Sequence, residues 1–192
     1  MQDVAARQLR LITIRHGQPD VPSGHCYGNT DLALKEGVND LLLAQHDALF
    51  GQARAECWPV YSSPLQRCAS LAAAVSPDFR ADSRLREWDF GAWEMFSWDS
   101  VPRSELDAWA ADPVNYKPGG CENLLMIVQR LHSFLHELPV SDKAYLLITH
   151  AGVIRLLSVW QASHVQTAMA AQASVAPSYG ARSDFNISLF PA

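Results

Sequence analysis

Three short apolar runs, at residues 9–14, 58–62 and 144–149, alternate with stretches of helical spacing, and this alternation constrains the fold more than any other feature of the chain. Each run is rich in β-branched or aromatic residues, as strands buried on both faces are. Pro59 suits the second only at the first strand position. Leu65, Cys68, Ala69, Leu71, Ala72 and Val75 recur at three- and four-residue intervals behind Ser63 and Pro64, which read as N-cap and first helical residue. Apolar residues from Leu124 to Leu138 predict a long amphipathic helix between Gly120 and Pro139, and Val153, Ile154, Leu156, Leu157 and Trp160 predict another. Residues 185–190 alternate with period two, as an antiparallel strand does. Strands interleaved with helices imply an α/β domain with a mostly parallel sheet. No linker or repeat divides the chain, so residues 1–192 read as one domain. Residues 82–116 carry four of the six tryptophans and read as an excursion from the core. The Ala-rich stretch 168–176 fits either a helix or a surface loop.

Composition narrows the function. The 192 residues carry 15 Lys+Arg against 20 Asp+Glu, a net charge of −5. That balance argues against a general nucleic-acid or anionic-membrane partner. No apolar run approaches the roughly 20 residues of a membrane helix. The polar start, Met1 to Arg7, lacks the pattern of a signal peptide, so a cytoplasmic location is expected. Cys26, Cys57, Cys68 and Cys121 are scattered, with neither disulfide-framework nor zinc spacing, and read as buried free thiols.

Chemistry is expected where the strands end. In open α/β sheets, ligands bind beyond the carboxyl ends of the strands, where loops run into helix N-termini. The first run continues into Arg15, His16 and Gly17, the second into Ser62, Ser63 and then Arg67, the third into Thr149 and His150. With parallel strands, two arginines and two histidines gather at one sheet edge, a cationic pocket in an acidic protein. Helix N-termini there also favour phosphate.

The ordered set resembles the histidine phosphatase (phosphoglycerate mutase-like) superfamily across nearly the whole chain. The motifs are residues 11–17 with Arg15, His16 and Gly17; residues 60–67 ending in Arg67; residues 85–94 with Glu87, Trp88, Gly91, Trp93 and Glu94; residues 118–123; and residues 147–155 with His150, Gly152 and Arg155. The resemblance implies a three-layer α/β/α fold, its sheet mostly parallel with one antiparallel edge strand, and an excursion at about 82–120 over the active site. It implies that His16 attacks phosphorus, with its other ring nitrogen held by a carbonyl near Gly17. An imidazole with an ordinary pKa near 6.5 is a competent nucleophile at neutral pH. Arg15, Arg67 and His150 would hold the phosphoryl oxygens, the planar arginine fork binding two at once. Glu87 would serve as proton donor and then as base, with Glu94 and Asp89 as competitors. Glu122 and Asn123 read as helix caps. No cofactor or metal is implied.

The sequence departs from the family in places. Gln18 and Pro19 follow the first motif where Glu-Thr is common, Ala151 replaces a glycine, and Met95 stands where glycine usually follows Trp-Glu. The asparagine that helps hold phosphate in the family has no clear counterpart, Asn29 being one substitute. Residues 25–34 and 85–93 look most like the α-ribazole phosphatase branch, so a phosphomonoester hydrolase heads the expectations, and that likeness implies α-ribazole 5′-phosphate of cobalamin synthesis as substrate. The alternatives are a phosphoglycerate mutase or sugar-phosphate phosphatase of the same superfamily, an inactive phosphate-binding protein, and a metallohydrolase using His16 and His150. Trp88, Trp93, Phe96 and Trp98 could stack on an aromatic base, or pack in a lid or a homodimer contact.

Overall fold

A computed structural model of the chain describes residues 6–189. In chain order the regular elements are β1 (Arg7–Arg15), α1 (Val38–Gln45), α2 (Asp47–Ala55), β2 (Val60–Ser62), α3 (Gln66–Val75), β3 (Arg80–Ala81), α4 (Arg103–Ala111), α5 (Leu124–Glu137), β4 (Tyr145–Thr149), α6 (Ala151–Ser158), α7 (His164–Ala171) and β5 (Arg182–Leu189). The strands form one sheet in the order β3-β2-β4-β1-β5. β1, β2, β3 and β4 run parallel, and β5 pairs antiparallel with β1 from Arg7↔Leu189 to Ile14↔Arg182.

The apolar runs are continuous because both sheet faces are covered. Leu9, Leu11, Tyr145 and Leu147 face a core shared with α5, α6 and α7, while Ile12, Ile14, Val60, Leu146 and Ile148 face one shared with α1, α2 and α3. The result is a three-layer α/β/α arrangement. Register then positions the chemistry: Arg15 pairs with Thr149, and Ser62 with Ile148, so β1, β2 and β4 end at one edge. β2 begins immediately after Pro59, whose carbonyl accepts from Leu146 N–H at 3.0 Å.

Several expectations are corrected. α3 starts at Gln66, and Ser63 does not cap it; Ser63 Oγ accepts from Leu65 N–H instead. The Gln66 N–H is satisfied by Asp31 Oδ1 at 2.7 Å, a capping carboxylate from 35 residues away. The Ala-rich stretch is helical only as far as Ala171. Helices α1, α2 and α4 and strand β3 were not read from the sequence, and Phe190, the expected end of β5, lies outside the described residues. All four cysteines are free, but only Cys26 and Cys68 are buried. Cys57 sits in a left-handed turn (φ 52°) behind α2, and Cys121 follows two glycines, so both face solvent. Among the described residues no helix is long and apolar enough to cross a membrane.

Residues 82–120 combine short 3₁₀ turns with α4. Their own small core joins Trp93 and Val101 to Cys26, with Phe90, Trp98, Leu106, Trp109 and Tyr116 packed around it.

Candidate active site

His16 follows β1, and its backbone N–H donates to the Thr149 carbonyl of β4 at 3.0 Å. Its Nδ1 lies 2.6 Å from the Gly17 carbonyl, which accepts the Nδ1 proton and leaves the Nε2 lone pair available. A Cβ on residue 17 would stand 2.1 Å from Val38 Cγ1, so a glycine lets α1 close over this turn. The His16 ring is 1% exposed. Burial first, and then the Arg67 guanidinium, lower its pKa to about 3, so the ring is neutral at ordinary pH.

The other strand ends converge on it. His150, at the N-cap of α6, lies 4.9 Å from His16 between ring centroids and shares a 2.8 Å hydrogen bond with Ser63 Oγ through Nε2. It is fully buried, and burial, ahead of the repulsion a proton would meet from a protonated His16 and from the Arg67 guanidinium, holds its pKa well below the usual histidine value. Arg67, in the first turn of α3, is also fully buried. It donates to the carbonyls of Thr30 (2.6 Å) and Gly28, and its Nε has no partner. Arg15 donates to the Pro177 carbonyl at 2.5 Å, lies 3.9 Å over the Tyr179 ring, and likewise leaves Nε unpartnered. Neither arginine pairs with a carboxylate within the described residues. Buried cations without counter-charge are costly, and an anion removes that cost.

Glu87 reaches this edge from the excursion. Both carboxylate oxygens accept from Gly152 N–H at 3.1 Å, in the first turn of α6, where the helix dipole favours negative charge. The approach depends on a glycine, because a Cβ at 152 would stand 2.3 Å from Glu87 Oε1. Glu94 is placed differently. It accepts from the N–H groups of Asn29 (2.7 Å), Thr30 (2.6 Å) and Phe90 (3.1 Å) and from the Thr30 hydroxyl. Those bonds brace the loop whose carbonyls hold Arg67. Asp89 accepts from Gly91 N–H and from the Asn29 amide.

Asn29 does not offer its side chain to the strand edge: its amide donates to Asp89 at 3.1 Å and its carbonyl accepts from Arg86 at 3.3 Å. Asn123 caps α5 by accepting from Met126 N–H, whereas Glu122 pairs with Arg130 at 2.8 Å and is no cap. The bracing by Glu94 and the cap from Asp31 went unread, because both join residues far apart in sequence and only the fold shows them as neighbours.

A cavity of about 400 Å³ opens beside Gly152. Trp88, Trp109, Leu124, Ile127 and Leu156 form apolar walls, and Arg155 adds a cation. Of the four aromatics considered for base stacking, only Trp88 lines it; Trp109 was missed. Trp93 is buried and bonded to Glu105, Trp98 packs on Phe90 and Trp109, and Phe96 is 59% exposed. Among the described residues no group of three or more His, Cys, Asp or Glu is placed to hold a metal ion.

Comparison with known proteins bears on this geometry. The family model described as histidine phosphatase superfamily (branch 1) matches residues 11–176. Bifunctional protein Rv2228c of Mycobacterium tuberculosis is 28% identical over 159 residues, 77% of this chain and 43% of the relative, so the chain spans under half the length of the curated relatives it matches. Among solved structures, a candidate alpha-ribazole-5′-P phosphatase from Escherichia coli K-12 superposes with a TM-score of 0.76 at 24% identity, covering 93% of this chain and 90% of that one. A mycobacterial glucosyl-3-phosphoglycerate phosphatase gives 0.72 at 23% identity, covering 94% and 91%. TTHB049 from Thermus thermophilus gives 0.61 at 30% identity, covering 79% and 84%.

Proposed function

The chain belongs to the histidine phosphatase superfamily, and from that premise we propose that it hydrolyses a small organic phosphomonoester through a phosphohistidine on His16. One observation carries the reading: a neutral imidazole of fixed tautomer stands beside His150, the buried Arg67 and the half-buried Arg15, and neither arginine has a carboxylate partner among the described residues. Nε2 of His16 attacks phosphorus as the ester P–O bond breaks. Arg15 and Arg67 neutralise charge on the equatorial oxygens, where phosphoryl transfer most needs it, and His150, uncharged in its buried position, donates a ring N–H to them. Glu87 gives a proton to the leaving alkoxide. Its carboxylate then takes one from the water that attacks phosphohistidine, releasing phosphate and restoring His16. Glu94, with its oxygens held by three backbone N–H groups and a hydroxyl, is a positioning residue for the Arg67 loop.

The alcohol portion of the substrate fits the cavity beside Gly152, which begins where Glu87 would release the leaving group. Flat indole walls and few polar groups favour an aromatic or largely apolar alcohol. α-Ribazole 5′-phosphate, with its aromatic base, is the substrate we favour, and the reading carries a role in cobalamin synthesis. A cytoplasmic setting fits four cysteines that form no disulfide.

Hydrolysis of para-nitrophenyl phosphate with EDTA present tests the reaction. Wild type should turn over undiminished by the chelator, and His16→Ala should lose all phosphohistidine-dependent activity. Turnover abolished by EDTA, or retained in His16→Ala, would refute the mechanism. Ranking kcat/KM across α-ribazole phosphate, glucosyl-3-phosphoglycerate, phosphoglycerates and sugar phosphates tests the substrate, with the aromatic ester expected first.

A further inference from the structure

Two tyrosines cover the phosphate edge. Tyr27 lies between β1 and α1, Tyr179 between α7 and β5, and their hydroxyls hydrogen-bond to each other. The Tyr179 ring lies over the Arg15 guanidinium and 5.7 Å from the His16 ring between centroids. The Tyr27 ring lies 5.6 Å from the Arg67 guanidinium. The pair therefore bridges both arginines beside the proposed nucleophile. Each of those arginines keeps a buried Nε–H without a partner among the described residues.

Resting on the phosphohistidine reading, we propose that Tyr27 and Tyr179 are phosphate-binding residues, which donate hydroxyl protons to the phosphoryl oxygens. Proton counting supports this. Two phenols joined by one hydrogen bond hold two protons: one O–H is free for an arriving oxyanion, and the other turns to it when the phenol–phenol bond opens, so each tyrosine supplies one donor. Neither hydroxyl has another partner within the described residues. Burial, reinforced by the bond to Tyr179, pushes the Tyr27 phenol above its usual range, so it keeps its proton and stays a donor. Asn29, the alternative neutral donor, is held by Asp89 and Arg86. The 1% exposure of His16 adds a steric point: the Tyr179 ring is packed against it, so the tyrosine pair borders the nucleophile.

Titrating inorganic phosphate and vanadate into wild type, Tyr27→Phe, Tyr179→Phe and the double variant tests this. Phenylalanine keeps the ring over the arginine and removes only the hydroxyl. Losing a hydrogen bond to a charged ligand should weaken binding by roughly 10- to 100-fold, with the thermal midpoint of the ligand-free protein little changed. Phosphate affinity unchanged or tighter in the phenylalanine variants, with wild type binding normally, would overturn the tyrosine assignment and leave the phosphohistidine reading intact. Failure of wild type to bind either oxyanion would overturn both. Should the double variant fold poorly, the two single variants read the same donors.

Discussion

At the sheet edge, Arg67 and His150 are fully buried, Arg67 held by the carbonyls of Gly28 and Thr30 and His150 by the Ser63 hydroxyl. Across residues 82–120 the packing is of another kind: six aromatic rings, Trp88, Phe90, Trp93, Trp98, Trp109 and Tyr116, lean on one another at centroid separations of 5.3 to 6.5 Å. On the proposed reading, the edge would present charge to a phosphoryl group, which every phosphomonoester shares, and the aromatic region would present shape to the alcohol, which differs between esters. Reaction and selectivity would then be built from separable materials, which meet at the contact between Glu87 and Gly152.

That division can be broken or sharpened by substitution. The largest effect is expected at Glu87. Glu87→Gln should slow turnover of an ester with a poor leaving group by around 10²–10⁴-fold and slow para-nitrophenyl phosphate much less, as its leaving group needs little protonation. Equal losses on both would remove Glu87 from proton transfer. Gly152→Ala comes next: its methyl group occupies the space of the carboxylate oxygen. A displacement of that size should cost on the order of 10²-fold in kcat for the same poor leaving group, with vanadate affinity retained. Ala110→Trp, on the exposed side of α4 and lining the cavity, should lower kcat/KM for an aromatic ester by about tenfold or more while sparing inhibition by inorganic phosphate. Equal effects on ester and phosphate would merge the two regions into one.

Stability gives the smallest and most general test. The folded pKa of His16 is about 3, against about 6.5 in the unfolded chain, and His150 is shifted in the same direction. Below pH 6.5 the unfolded chain therefore binds protons that the folded chain refuses. Stability is complete above 6.5 and falls as pH drops toward 3, by about 1.4 kcal/mol per pH unit for His16 alone. Urea midpoints at pH 7, 6 and 5 should show this slope, and His16→Asn should flatten it. An unchanged slope would mean that the imidazole titrates normally.

The two regions also differ in how legible they are. Arg15, His16, Arg67 and His150 could be placed at one edge from sequence because each follows an apolar strand, and parallel register does the rest. α1 and α2 were missed because both are short and lack a run at helical spacing: the leucines of α1, Leu41 to Leu43, are consecutive, and only Leu42 is buried. Trp109 was missed because nothing local separates a cavity wall from a packing residue on α4. The position of Glu87 followed from its motif, but its dependence on Gly152, and the opposite use of Glu94, are contacts across about 65 residues that only tertiary structure reveals.

The clasp of Glu94 on the Asn29 and Thr30 amides has a practical bearing on genetics. A library of random variants scored for growth or turnover would reject changes at position 94 as severely as those at 87, though for an unrelated reason. Dead clones at 94 would have lost the seat of Arg67, and a saturating dose of substrate should partly revive them while leaving clones mutated at 87 silent.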